Sequence, residues 1–245
     1  MPDIPILLLA EHVLTVAYVV FGMLGFGSTL LAAPILAHVM PVTTVVPTLA
    51  MTDVVAAWSN GWRLNEHVVR GELYRLVPAL VIGSAFGAWV LFSMSLKMLM
   101  TSLGIFVMLY AINGLRPKHR KLSLSARWAW FYGLAGGTLS ALFGSGGWVY
   151  SIYLLGRLDD PQQIRATQTA VIMFSSLVRV ALFLLAGRLL DADLLLLVLL
   201  LLPAVALGLF IGNRISHKLN RQTFMQLLYG MLLLTGGSLV IRALQ

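Results

Sequence analysis

Residues 21–36, FGMLGFGSTLLAAPIL, and residues 133–155, GLAGGTLSALFGSGGWVYSIYLL, decide how this chain is read. Each lies in an apolar stretch too long for one helical crossing, because about 20 residues suffice to span a bilayer. No Asp, Glu, Lys or Arg occurs between Glu11 and Asp53, or between Arg127 and Arg157. Inside both stretches the run is interrupted by glycines beside a hydroxyl residue. Single glycines are common in membrane helices, but such a cluster predicts a broken helix.

The rest of the composition agrees. Of 245 residues, 59% are apolar and only 11% are charged, against about 25% charged in a soluble domain. Mean hydropathy is +0.90. A soluble globular protein, a disordered chain and a nucleic-acid-binding domain are excluded. The net charge of +8 is that of cytoplasmic loops, which collect Lys and Arg. There is no cysteine, and the five histidines show no metal-ligand spacing, so neither a metal nor a cofactor is expected. The opening MPDIPILLLAEHV lacks the basic start of a cleavable leader.

Charge-free intervals mark eight segments, at about 5–37, 42–62, 72–95, 97–114, 128–156, 162–186, 192–213 and 222–243. Suppose the two broken segments each enter and leave on the same side. Arg63, Arg70 and Arg75, the group Arg116, Lys118, Arg120, Lys121 and Arg127, then Arg157, Arg165, Arg214, Lys218 and Arg221 then all lie inside. Only Lys97, Arg188 and Arg242 lie outside, with Arg179 left in the membrane. This satisfies the positive-inside rule better than single crossings do. The predicted fold is therefore an all-α polytopic membrane protein of two inverted repeats. Each has a broken or re-entrant Gly-rich first segment followed by three transmembrane helices. The repeats cover 1–115 and 128–245, joined by a basic cytoplasmic linker at 116–127. Sliding the chain by 120 residues places Gly27 on Gly147, Pro41 on Pro161 and Ala50 on Ala170. Inverted repeats with broken helices are the pattern of secondary transporters, with the substrate held at the repeat interface.

The two breaks, and the stretches that follow them, PVTTVVPTLAMTD and DPQQIRATQTAVIMFSS, resemble the paired Gly-rich motifs of the TauE/SafE sulfite-exporter family. The resemblance covers nearly the whole chain. It implies a multi-pass protein of the bacterial inner membrane exporting sulfite or a small organosulfonate such as sulfoacetate. Two departures stand out. The family's Gly-Gly-Gly run is Gly25-Phe26-Gly27 in one half and Gly144-Ser145-Gly146-Gly147 in the other, and no proline follows the second break near Leu154.

A half-helix start exposes free N–H groups and the positive end of a dipole, which favours an anion. Gly27, Ser28, Thr29, Ser145, Gly146 and Gly147 are therefore the candidate substrate contacts, with Trp148 as a wall. Gly22, Gly133, Gly136 and Gly137 are read instead as close-packing positions. Arg179 lies mid-segment in FSSLVRVALFLL, and a charge at membrane depth marks a functional site by default. It clamps an anion through two donors, pairs with a carboxylate, or snorkels towards the outer face. Asp53 is the one acid deep in an apolar segment. It is read as a proton- or Na⁺-coupling group, as the counter-ion of Arg179, or as a cap on a broken turn. Among the hydroxyl and amide residues of the two following helices, Thr48, Thr167 and Gln168 are the candidates for an oxyanion.

An intramembrane protease would pair the Gly-Ser-Gly at 144–146 with a histidine on a later helix, and none occurs there. The expectation is a non-enzymatic transporter of a small anion in the lipid bilayer, with H⁺ or Na⁺ coupling and a homodimer left open. The alternative is an anion channel, or a carrier of another small carboxylate or inorganic anion.

Overall fold

The computed structural model describes residues 4–115, 123–187, 189, 191–215 and 221–244. Most of the basic linker, with Arg116, Lys118, Arg120 and Lys121, lies outside the described residues, as do Arg188 and Lys218. The described chain is helical throughout. The first half holds α1 (Ile4–Leu24), α2 (Ser28–Leu36), α3 (Val42–Leu64), α4 (Arg70–Ser93) and α5 (Leu96–Leu115). The second holds α6 (Ala129–Phe143), α7 (Gly147–Arg157), α8 (Pro161–Leu185), α9 (Ala192–Ile215) and α10 (Arg221–Leu244). Short 3₁₀ turns precede α4 and α6. In lipid every backbone group must be satisfied within the segment, so apolar runs of this length fold as helices. Among the described residues, six helices are long and apolar enough to cross a membrane: α1, α3, α4, α5, α8 and α9.

Both Gly-rich segments are broken, and the breaks have local causes. Gly25 and Gly27 hold φ of +79° and +101°, so the chain leaves α1 and restarts as α2. Gly144 closes α6 at φ +65°. Side chains with a Cβ rarely occupy that region. The halves differ in proportion. α1 is long enough to cross by itself and is followed by a nine-residue α2, whereas the second break divides its segment into 15 and 11 residues. α8 begins on a conventional signal: Asp160 caps the Gln162 N–H at 2.9 Å and Pro161 occupies the first turn.

Contacts exchange between the halves. α1 packs on α9 while α6 packs on α4, and α3 meets α8 while α5 meets α10. Small residues allow these approaches. A Cβ added to Gly83 would lie 2.2 Å from the Leu134 carbonyl oxygen, and one on Gly137 would lie 2.3 Å from that of Leu80. Gly22, Gly208 and Gly212 do the same between α1 and α9. In water the apolar effect would press such helices together, but lipid is as apolar as leucine, so contact distance decides. Gly83→Ala should therefore cost about 1–3 kcal/mol by overpacking. It is checked by thermal unfolding in detergent beside Gly230→Ala, where a Cβ meets nothing within 4 Å. Equal midpoints would mean that the α4–α6 contact is loose.

Candidate functional site

α1, α2, α3, α6, α7 and α8 meet around a buried charge pair. The Asp53 side chain on α3 and that of Arg179 on α8 are each at least 95% buried, and Arg179 Nη2 donates to Asp53 Oδ2 at 2.9 Å. Three hydroxyls complete the carboxylate's shell. Ser28 donates to Oδ1 at 2.8 Å, Thr29 to Oδ2 at 2.9 Å, and Tyr18 of α1 to Oδ1 at 2.9 Å. Every group touching the carboxylate can donate, the Tyr18 hydroxyl sharing its one proton with Thr52 Oγ1 at 2.8 Å, which suits an acceptor-only group. The guanidinium also bonds the Ser140 carbonyl at 3.3 Å and the Ser176 hydroxyl at 3.1 Å. Its Nε is buried and has no hydrogen-bond partner among the described residues.

A cavity of about 20 Å³ adjoins the pair. The first turn of α2 reaches it through Gly27, Ser28 and Leu30, and the α6–α7 junction through Gly144, Ser145 and Gly147. Asp53, Ser175, Ser176 and Arg179 supply further polar walls, and Phe21, Phe26 and Ile172 the apolar ones. Both helix breaks thus open onto one small polar space. At that volume it holds about one water, so an oxyanion of several heavy atoms requires the site to widen. In chemical terms the space offers a guanidinium N–H, hydroxyl donors and two half-helix starts, all of which suit an anion.

Of the residues singled out in the sequence, Gly27, Ser28, Asp53, Ser145, Gly147 and Arg179 line this cavity. Thr29 stands just behind it, bonded to Asp53. The others lie apart. Gly146 packs against Gly136 and Ser140. Trp148 faces α5, with its ring 5.5 Å from Tyr110 and 6.4 Å from Phe106. Thr48 donates to the Thr44 carbonyl of its own helix at 2.9 Å, the common fate of a hydroxyl in a membrane helix. Thr167 accepts the Val69 N–H at 2.9 Å and so secures the start of α4. Gln168 is buried, its Nε2 without a partner among the described residues, one helical turn before Ile172 on the face that carries Ser175 and Arg179.

Sequence reasoning missed Tyr18, Ser140 and Tyr150. Ser140 and Ser175 share a 2.7 Å hydrogen bond, with the Tyr150 hydroxyl 3.5 Å from Ser175. A second buried acid was also missed. Glu72 sits near the start of α4, and from charge spacing alone it reads as a loop-end residue. Yet it is 3% exposed. Arg157 donates to its Oε1 at 2.7 and 3.1 Å, Arg75 to the same oxygen at 2.8 Å, and Tyr153 to Oε2 at 2.5 Å. Arg157 also reaches the Leu124 carbonyl. This cluster ties the end of α7 to the start of α4. The one available signal was Glu72 flanked by Arg70 and Arg75, which does not reveal α7 as the neighbour.

The sequence model of the sulfite exporter TauE/SafE family matches residues 12–239. No match is found among curated proteins or solved structures.

Proposed function

The chain belongs to the TauE/SafE family of membrane transporters for sulfur-containing anions, and from that premise we propose that it exports sulfite or a small organosulfonate such as sulfoacetate across the bacterial inner membrane. The carrying observation is the meeting of both helix breaks with Arg179, whose Nε lacks a partner, at a single cavity. The exchanged contacts of the two halves support an inverted pair of repeats about that cavity. The proposed mechanism is alternating access. The site opens to one side, takes an anion between α2, α7 and Arg179, and reopens to the other as the halves rock. Helix-end N–H groups, hydroxyls and the guanidinium replace the water that the anion leaves behind.

The test is thermal stabilisation of the purified protein by sulfite, sulfoacetate, taurine, sulfate, acetate and chloride. A ligand bound only by the folded state at 100 times its Kd stabilises by about 2.7 kcal/mol. Sulfite or sulfoacetate should raise the midpoint where acetate and chloride do not. A flat response across the panel at tens of millimolar overturns the proposal.

A further inference from the structure

Asp53 occupies the position that a substrate anion needs. Its two oxygens gather the Ser28 and Thr29 hydroxyls from the start of α2, the Tyr18 hydroxyl and the Arg179 guanidinium. Those are the donors an incoming oxyanion would seek. Two anions cannot share the one cation in a dry site without strong repulsion. We propose that the protein carries one proton with each monovalent anion: protonation of Asp53 releases Arg179, and the substrate takes the carboxylate's place on the guanidinium. This rests on the anion-transport reading of the site.

The charge inventory requires it. Among the described residues, the titratable or charged groups that face Asp53 or its cavity are Tyr18 from α1, Tyr150 from α7 and Arg179 from α8. α2 contributes only hydroxyls, α6 contributes Ser140 and α3 contributes Thr52, all neutral. The site as it stands is thus neutral, with one carboxylate and one guanidinium. Adding a monoanion leaves an unbalanced buried charge unless a proton arrives with it. A sodium ion fits less well, because both carboxylate oxygens already accept from hydroxyl and guanidinium donors rather than standing free as ligands. The proton passes from water to an Asp53 oxygen as the guanidinium leaves it. It returns to water on the far side when the anion departs and the pair closes again. The partnerless Nε of Arg179 is the donor that an anion meets before the pair has parted. The empty carrier returns with the pair closed, and the loaded one returns neutral, so movement of a monoanion is electroneutral.

The experiment uses methanesulfonate, which keeps its single charge from pH 5 to 8, so that any pH dependence belongs to the protein. Binding to the full-length protein is followed by calorimetry in this range. With one proton taken up per anion, Kd should rise about tenfold per pH unit across this range, as linkage demands. Asp53→Asn, a permanent neutral mimic, should bind with one affinity at every pH. In proteoliposomes a methanesulfonate gradient should acidify the receiving side in the wild type, as read by an entrapped pH dye. The variant should exchange the anion between the two sides without protons, because its empty form holds an unpaired guanidinium. Wild-type binding that is flat with pH, or that requires sodium, overturns the coupling and leaves the transport reading intact. No methanesulfonate binding by either protein at any pH, with both folded, removes the anion site itself. The wild-type pH series decides the question even if the variant fails to fold.

Discussion

Arg179→Ala should cost the folded protein about 3–5 kcal/mol, the loss expected when one member of a buried pair is removed and its partner is stranded. The reason lies in the surroundings of Asp53. Its remaining neighbours after the substitution are the hydroxyls of Tyr18, Ser28 and Thr29, none of them charged. A cavity with room for about one water does not rehydrate a carboxylate. Anion binding should vanish with the guanidinium. The double variant Asp53→Asn plus Arg179→Ala separates the two effects: most of the stability should return, because no charge is stranded, and binding should not. Chemical unfolding in detergent measures the first and calorimetry the second. A single variant as stable as the wild type would show that water reaches Asp53 freely.

Gly144→Ala is the second large effect, and it joins the backbone to the site. At φ +65° a side chain adds left-handed strain of about 1–2 kcal/mol. Its Cβ would also lie 2.1 Å from Thr29 Cγ2 and 2.5 Å from Thr29 Cβ, and forced overpacking costs about 1–3 kcal/mol more. Thr29 must move, and its hydrogen bond to Asp53 goes with it. The expected outcome is a lowered unfolding midpoint together with weakened anion binding. Gly187→Ala is the control, since Gly187 has φ +70° with nothing within 4 Å of an added Cβ. It should show the strain alone and bind normally. If the two variants behave alike, the contact between the α6–α7 junction and α2 is not tight.

The helix bounds were legible in the sequence because two strong signals coincide there. The segment read at 192–213 is α9 at 192–215, and that read at 162–186 is α8 at 161–185. Charges do not enter the apolar slab cheaply, so they mark the ends of each run. The breaks were legible for a different reason: glycines crowd where the chain needs a positive φ or a close approach. Asp53 and Arg179 stood out because a charge at that depth demands an explanation. Whether they met was not readable. They are 126 positions apart, and helix periodicity says which face a residue takes without saying which helix it faces.

The same limit explains the residues that were overlooked. A tyrosine in an apolar run, such as Tyr18, reads as packing or as an interface anchor until Asp53 is seen opposite it. Glu72 reads as a loop acid until Arg157 and Tyr153 arrive from α7. Thr48 and Thr167 show the converse: a hydroxyl in the right helix is drawn to whichever backbone group lies nearest, which only the packed structure specifies.

By itself, then, the sequence determined the membrane class, the segments, the two breaks and two of the buried charges, Asp53 and Arg179, since each follows from the cost of polarity in lipid along one helix. Only the tertiary structure decided that both breaks share one cavity and that Asp53 occupies Arg179. It also decided that the close-packing glycines Gly133 and Gly137 of α6 lie against α4. Those facts depend on which helix packs against which, and in a medium as apolar as the side chains that choice is made by shape and hydrogen bonding.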